Sequence, residues 1–442
     1  MPEPSFDDRP FRERIVGRDL NVGVVGLGYV GLPLAVAYAE AGFRTIGFDV
    51  DAERAAALNQ GHSHIDDVSR ERVAAVVTAR RFSATADESG LADADVLFLC
   101  VPTPFDKAKT PDLSFVRAAT HTVASVLRPG MLVILQSTTY PGTTVEIVQP
   151  VLEERGLRAG RDFHLAFSPE RVDPGNATWT VHNTPKVVGG LTEACTERAR
   201  AVLEAVMDGP GLVNVVSTPA TAEMAKLLEN TYRAVNIALV NELAMLAHEM
   251  DIDIWEVIDA AGTKPFGFQA FYPGIGPGGH CIPVDPYYLA WKAREFDFQT
   301  KFIELAADTN LSMAQYIVQR IHRFANRLDL SVRGLRVLCL GAAFKPGVSD
   351  IRNSRAIRVM ELLDRDGARI DYVDPMVPSI TLPSGPRKAL SLGEFSPTEW
   401  DLVIVLVGNP DWSLDGLRDS QVPVFDAVNA IGAVTRERYE RL

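Results

Sequence analysis

The sequence predicts an α/β protein built from two doubly wound domains joined by a long central helix. Three observations carry that prediction. A strand pattern at residues 21–25 runs into a glycine turn, a helix, a second strand and an acid, which together make one βαβ unit. Residues 218–250 are strong helix formers with no Gly, and no Pro beyond Pro219. After residue 331 the alternation of strand and helix patterns starts again.

Composition sets the bounds. At 442 residues the chain exceeds a single small core, so two or three domains are expected. Counting 44 basic against 57 acidic residues gives a net charge of −13, which argues against nucleic acid or an anionic membrane as the main partner. The longest apolar runs, such as 96–101 and 403–407, have strand length and fall far short of the roughly 20 residues of a membrane span. Residues 1–19 are rich in Pro and Arg without an apolar run, and are expected to be a flexible leader, not a signal peptide. Cys100, Cys195, Cys281 and Cys339 are widely spaced with no CxxC pair. That spacing predicts neither a disulfide framework nor a bound metal, and a reduced, cytoplasmic setting.

The first domain is expected over residues 20–216. Its elements are a strand at 21–25, a helix at 30–41 ended by Gly42, and a strand at 44–48 closed by Asp49. Strand, helix, strand and helix follow at 95–101, 114–127, 131–136 and 143–155, then strands at 163–167 and 186–188. A middle segment, 217–330, opens with the helix at 218–250. At about 1.5 Å per residue it is roughly 50 Å long, so it outspans one domain and offers a face to a second subunit; a homodimer through this helix is expected. Helices at 286–296 and 300–328 complete the segment. The third domain, 331–442, has strands at 336–340, 369–373, 401–407 and 422–426 and a helix at 354–366. Its first turn, Gly341-Ala-Ala-Phe344-Lys345-Pro-Gly347, lacks the GxGxxG spacing, so no second dinucleotide is expected there.

The glycine turn Gly26-Leu-Gly28-Tyr29-Val30-Gly31 takes its meaning from the βαβ unit around it. Gly26 permits the tight turn, Gly28 lets backbone approach a pyrophosphate, and Gly31 permits close helix–strand packing, with the helix N-terminus facing the phosphates. Tyr29 and Val30 belong to the same binding turn. Asp49, at the end of the next strand, suits both ribose hydroxyls and repels a 2′-phosphate. The domain is therefore Rossmann-like and NAD is favoured over NADP, although Arg54 offers a cation nearby.

A second signal is Gly274-Ile-Gly276-Pro-Gly278-Gly279-His280-Cys281, followed by Asp285. A thiol at the head of a helix ionises more readily and becomes nucleophilic. Asp285, four residues on, faces the same side of that turn. The other three cysteines, inside apolar strands or a helix, read as small buried hydrophobes. The role of His280 stays open between a loop donor and a catalytic group. A third signal is the stripe Glu223, Lys226 and Asn230 at i, i+3 and i+7. On spacing alone such a stripe more often marks a solvated face. Ser137-Thr138-Thr139 and Ser168-Pro-Glu170 stand at strand ends, where ligand crevices form, but loops are polar in any case.

Taken in order, these segments, together with Val101-Pro-Thr103-Pro104, Pro141-Gly-Thr143, and Phe344-Lys345 with Asp350-x-Arg352, resemble the UDP-glucose/GDP-mannose dehydrogenase family over nearly the whole chain after residue 20. The resemblance implies an NAD-dependent nucleotide-sugar 6-dehydrogenase that makes a uronic acid for polysaccharide or specialised glycan synthesis. The first domain would bind NAD and the third the nucleotide diphosphate, with the sugar between them against the long helix. It implies that Cys281 carries a thiohemiacetal and then a thioester. Lys226 and Asn230 would stabilise oxyanions, Asp285 and Thr138 would hold the water or proton acceptor, and Glu170 would assist hydrolysis. Thr103, Thr138 and Arg352 would reach NAD. Glu170, Arg171, Val172, Lys226, Asn230, Tyr272, Gly274, Gly278, Phe344 and Lys345 would hold the substrate.

Two departures bear on specificity. Glucose-type relatives carry a second glutamate four residues after the position of Glu170; Pro174 stands there. That form, with Thr263-Lys-Pro-Phe-Gly-Phe268, looks like the branch acting on UDP-N-acetylhexosamines. Many relatives also have an arginine where this chain has Val428, which leaves UDP-glucose or a dTDP-sugar as the alternative. A hydroxyacid-type dehydrogenase or a non-catalytic NAD sensor would share the first domain, but neither would need Cys281.

Overall fold

Four- and five-residue strands that are buried along their whole length must be covered on both faces. Val96–Leu99 and Leu132–Leu135 are such strands. The computed structural model describes residues 9–106, 109–176, 178–391, 399–409 and 412–442. The chain divides into two units, Met1–Glu229 with Trp291–Asp297, and Asn230–Ala290 with Phe298–Leu442.

In the first unit the order is α1 (Arg9–Val16), β1 (Asn21–Val25), α2 (Gly31–Glu40), β2 (Arg44–Phe48), α3 (Ala52–Asn59), α4 (Arg70–Thr78), β3 (Phe82–Thr85), β4 (Val96–Leu99), α5 (Ser114–Val126) and β5 (Leu132–Leu135). A π-turn at Thr144–Val148 leads into α6 (Gln149–Glu153), followed by β6 (His164–Phe167), β7 (Lys186–Gly190), α7 (Glu193–Glu204) and β8 (Val213–Val215). The sheet runs β3-β2-β1-β4-β5-β6-β7-β8, parallel except where β7 meets β6 antiparallel. Strand order reverses between β1 and β4, which opens a crevice beyond their carboxyl ends. α2 is apolar on nearly every side and accordingly buried.

Residues 9–16, expected within a flexible leader, form α1 instead. Phe11 and Ile15, one turn apart, enter the core of this unit. The Arg198 guanidinium lies 4.7 Å above the Phe11 ring, and Arg14 pairs with Asp95 at 2.7 Å. An apolar i, i+4 pair in a charged stretch was the available signal. Residues 1–8 lie outside the described residues.

α8 (Pro219–Glu249) has 31 residues, and the division between the units falls inside it. The second unit continues with α9 (Ile254–Gly262), α10 (Asp285–Ala293), α11 (Lys301–Arg327), β9 (Arg336–Leu340), α12 (Arg355–Arg365), β10 (Arg369–Val373), a hairpin of β11 (Ser379–Leu382) and β12 (Gly385–Lys388), β13 (Leu402–Val405), α13 (Asp415–Arg418), β14 (Val424–Asp426) and β15 (Tyr439–Arg441). Its main sheet runs β10-β9-β13-β14-β15, parallel throughout. The predicted fold class holds: two doubly wound sheets, with a long helix between them in sequence. The strand expected at 186–188 is β7, but its antiparallel pairing with β6, the hairpin and β15 were not anticipated.

Candidate active site

The turn after β1 has the shape that a dinucleotide requires. Gly26 has φ +91°, and a Cβ on it would lie 2.5 Å from the Cys100 carbonyl oxygen. A Cβ on Gly31 would lie 1.8 Å from the Gly26 oxygen, so both positions demand glycine. A Cβ on Gly28 would meet nothing within 4 Å. That glycine answers to no protein neighbour, and the open space over its backbone suits a pyrophosphate. No side chain caps α2, whose N-cap is Val30, so its first turn can receive an anion. Tyr29 is half-buried beside it.

Asp49 is buried at the end of β2 and accepts the Leu27 and Asp51 amides at 2.9 and 3.0 Å. Arg54, weighed against it from sequence, is its partner: the guanidinium sits 3.0 Å from the carboxylate. Thr103 and Thr138 are half-buried just beyond β4 and β5. Ser137 fixes those two strand ends together, accepting the Val101 amide at 2.9 Å and donating to its carbonyl at 2.8 Å.

Beyond β6, Glu170 lies in a nest of donors. Its carboxylate accepts the Arg171 and Val172 amides at 2.8 and 2.9 Å, Gln136 Nε2 at 2.8 Å, and Lys186 Nζ at 3.2 and 3.3 Å. Burial favours the neutral acid, but the Lys186 ammonium and the two amides outweigh it and hold the carboxyl below its ordinary value. Lys186 is 1% exposed. Neither it nor Gln136 was singled out from sequence, although a lysine opening the apolar strand Lys-Val-Val-Gly-Gly is itself an anomaly. Arg171 reaches Glu229 at 2.7 Å and the Pro185 carbonyl at 2.7 Å.

The α8 stripe is not a solvated face. Glu223, Lys226 and Asn230 are 0, 8 and 8% exposed. Glu223 accepts the Gly142 and Thr144 amides at 2.6 and 2.9 Å and the Thr144 hydroxyl at 2.6 Å, which anchors the loop after β5. Burial pushes its carboxyl up despite those donors. Lys226, in the first unit, makes no ion pair with the described residues. Asn230, in the second, donates to Asp285 Oδ2 at 2.5 Å. A further buried asparagine, Asn241, accepts the Gly274 amide and donates to Asn310, each at 3.0 Å. These two asparagines, missed in the sequence, tie the glycine loop to α8 and α11.

Cys281 is the half-buried cysteine; Cys100, Cys195 and Cys339 are buried, and burial raises the thiols of Cys100 and Cys339. The Asp285 amide donates to the Cys281 carbonyl at 2.8 Å, so the thiol-bearing residue stands one turn ahead of α10. Gly278 and Gly279 pack on the Phe344 side chain so closely that a Cβ on either would lie within 2.9 Å of it. The Gly279 amide donates to the Arg352 carbonyl at 3.0 Å, and Asn353 Nδ2 to the Gly279 carbonyl at 2.9 Å. Arg352, expected at NAD, is forked onto Asp350 at 2.6–3.0 Å. Lys345 lies 5.6 Å from the Phe344 ring centroid. Tyr272 is half-exposed, stacked on Trp255 with its hydroxyl on Asp259 at 2.8 Å. Val428 approaches Gly274, 3.8 Å from the place of a Cβ there.

The described geometry therefore gathers the candidates in groups: the turn after β1, the Glu170 nest, Asn230 with Asp285 and the Cys281 loop, and that loop with Phe344 and Arg352. Family models cover the chain in three parts. The NAD binding domain of the UDP-glucose/GDP-mannose dehydrogenase family matches residues 20–207, its central domain 220–312, and its UDP binding domain 338–432. The UDP-N-acetyl-D-glucosamine 6-dehydrogenase of Pseudomonas aeruginosa is 39% identical over 362 residues, 81% of this chain and 84% of its own length. The structure of a UDP-D-ManNAc dehydrogenase from Pyrococcus horikoshii matches with a TM-score of 0.85 at 30% identity, over 96% of this chain and 99% of that one. A UDP-glucose dehydrogenase from Pyrobaculum islandicum matches with a TM-score of 0.81 at 29% identity, over 95% and 97%. The chain belongs to the UDP-glucose/GDP-mannose dehydrogenase family and is an NAD-dependent nucleotide-sugar dehydrogenase.

Proposed function

We propose that the protein oxidises the C6 hydroxymethyl group of a UDP-N-acetylhexosamine to a carboxylate, through a thiohemiacetal and a thioester on Cys281. The observation that carries this reading is Cys281 itself: the accessible thiol, one turn before buried Asp285, in a loop packed against the domain that matches the family's UDP-binding model. NAD would be held at Gly26, Gly28, Tyr29, Val30, Gly31 and Asp49 with Arg54, Thr103 and Thr138, would take Arg352 by the family resemblance, and would supply the hydride acceptor for both oxidations.

Lys226 and Asn230 stabilise the alkoxide and tetrahedral oxyanions, about 3–4 kcal/mol for each well-placed donor. Asp285, fixed by Asn230, receives the proton of the attacking water, and Thr138 helps to hold that water by a hydrogen bond. Glu170, saturated with donors and held ionised, is a weak base; its part is to orient water in thioester hydrolysis through its charge. Phe344, Lys345 and Gly278 take the nucleotide diphosphate, and Arg171, Val172, Tyr272 and Gly274 shape the substrate site. Pro174 removes a carboxylate that would crowd a 2-acetamido group, and the relative from Pseudomonas aeruginosa is named for such a sugar. The exposed apolar stripe of α8, with Leu228, Leu239, Leu243 and Leu246, supports a homodimer through that helix. We assign the protein to the cytoplasm; no helix among the described residues is long and apolar enough to cross a membrane.

The test is incubation with NAD and a panel of UDP-, dTDP- and GDP-sugars while NADH absorbance is followed. A UDP-N-acetylhexosamine should lead by ten- to a hundredfold in kcat/KM, the scale of about 1–3 kcal/mol for one unpaired polar group. Two NADH should appear per acid. A glucose nucleotide ahead by that margin would reject the role given to Pro174. One NADH per product, with aldehyde as the end point, would reject the thioester.

A further inference from the structure

Lys186 stands out in the first sheet. It opens β7, a strand buried along its whole length, and is itself 1% exposed. An ammonium taken out of water is strongly unfavourable without a counter-charge. Glu170 supplies that charge: Lys186 Nζ lies 3.3 and 3.2 Å from its Oε1 and Oε2. The other donors divide between the two oxygens, with the Arg171 and Val172 amides on Oε1 and Gln136 Nε2 on Oε2. Of these donors Lys186 alone bridges both oxygens, and it alone carries a charge.

We propose that Lys186 is the positioning residue of Glu170, bridging its two oxygens so that the carboxylate keeps its charge and its plane for thioester hydrolysis. This rests on the reading of Glu170 as the group that orients the water of that step. In the step the water oxygen bonds to the thioester carbon, one water proton passes to Asp285, and the C–S electron pair leaves on the Cys281 sulfur. Nothing is oxidised or reduced, and Glu170 and Lys186 keep their own protonation throughout. Lys186 touches no substrate in this scheme and acts through Glu170 alone.

The titratable groups around the carboxylate leave that task to one residue. From the end of β4 the Cys100 thiol donates to Gln136 Oε1 at 3.8 Å, and burial and the Glu170 charge push it up, so it stays neutral. Arg171, next in the chain, turns to Glu229 on α8 and to the Pro185 carbonyl. Among the described residues Lys186 is the one cation paired with Glu170. Burial favours the neutral acid, and the Lys186 ammonium leads the groups that hold the carboxyl below its ordinary value. The amides and Gln136 fix where the carboxylate lies, but a neutral donor offsets less of a buried charge than a cation does.

The measurement is kcat against pH on the full-length protein with NAD and the UDP-sugar that leads the panel above, alongside intact mass spectrometry of acid-quenched samples. Lys186→Met should move the acid limb of kcat up by about 1–3 pH units, the effect of losing one opposite charge. Below that limb an acyl adduct on Cys281 should build up. Lys186→Arg, which restores a cation, should bring the limb back to within about one unit of wild type. Lys186→Gln, a donor without charge, should behave as Lys186→Met and serves in its place if that variant fails to fold. The wild type needs no variant: its limb should lie below pH 4.5, and a limb above that value which Glu170→Gln removes would overturn the inference. So would an unmoved limb in the neutral variants, a loss equal at every pH, or a moved limb with no adduct. Glu170→Gln separates the two levels. If it turns over at the wild-type rate, the reading of Glu170 is wrong; if it is slow while the neutral Lys186 variants keep the wild-type profile, only the role of Lys186 falls.

Discussion

The turn after β1 and the turn after β9 begin alike and end differently. Gly26 and Gly341 have φ of +91° and +93°, and each lies against a neighbouring chain segment that leaves no room for a Cβ. Each turn is held by the acid closing the next strand: Asp49 takes the Leu27 amide, and Asp374 takes the Ala342 and Ala343 amides at 2.8 and 3.0 Å. They part at the third position. Gly28 faces open space, whereas Ala343 is 2% exposed and its methyl is part of the core. α2 opens at Gly31, but α12 opens only at Arg355, after a loop carrying Phe344, Lys345, Asp350 and Arg352. The third positions thus differ by one methyl group, and the longer loop presents side chains where the shorter turn presents backbone.

The sharpest way to break this comparison is to exchange the third positions. Gly28→Val should lower NAD affinity by about a hundredfold, or about 2.7 kcal/mol, at unchanged Tm, since a Cβ there meets no protein atom within 4 Å. Isothermal titration with NAD that gives the wild-type Kd would refute the cradle. Ala343→Val should do the reverse, costing about 1–3 kcal/mol of stability through overpacking while NAD binds normally; urea unfolding measures it.

A smaller effect is expected at the acid. Asp49→Asn frees Arg54 to meet a 2′-phosphate, so the kcat/KM ratio of NADP to NAD should rise about tenfold, or about 1.4 kcal/mol. An unmoved ratio would mean that Asp49 only braces its turn, as Asp374 does.

The smallest effect concerns pH and the longer loop. The folded protein raises His280 from 6.5 to about 9, so its stabilising contribution is complete below pH 6.5, shrinks above it, and is gone once pH passes about 9. Asp350, held below its ordinary value by His280 and Arg352 despite burial, acts oppositely: its contribution is present above about pH 4 and lost in stronger acid. Tm should therefore fall by a few degrees between pH 6.5 and 10, and His280→Gln should flatten that step. The histidine beside the turn after β1, His64, is pushed down by burial and Arg54, so it titrates below that range and NAD binding should not follow the step.

The parts legible in the sequence were those governed by local rules. Gly26 and Gly31 in a βαβ frame state their geometry directly, because only glycine fits where backbone crosses backbone, and Gly278 and Gly279 ahead of Cys281 do so by leaving room for the Phe344 ring. What escaped was set by packing. Lys186 and Gln136 reach Glu170 from other strands, and Asn241 reaches Gly274 from the long helix; neither spacing nor periodicity reports such meetings. The α8 stripe was ambiguous for the same reason, since a polar face reads identically whether water or a folded loop covers it. α1 was hidden by its charges, with Phe11 and Ile15 as the single clue.

Consider finally how such a chain can be recombined. Most domains meet at a slack linker, where segments from different ancestors can be spliced without regard to length. Here the division falls between Glu229 and Asn230, in the middle of α8. Lys226 is thus inherited with one half and Asn230 with the other, about one turn apart on the same helix. A splice that conserves residue number preserves that spacing even between distant parents. Loss of a single residue between them turns the rest of α8 by about 100° around its axis, which makes the length of α8 the quantity that such chimeras must conserve.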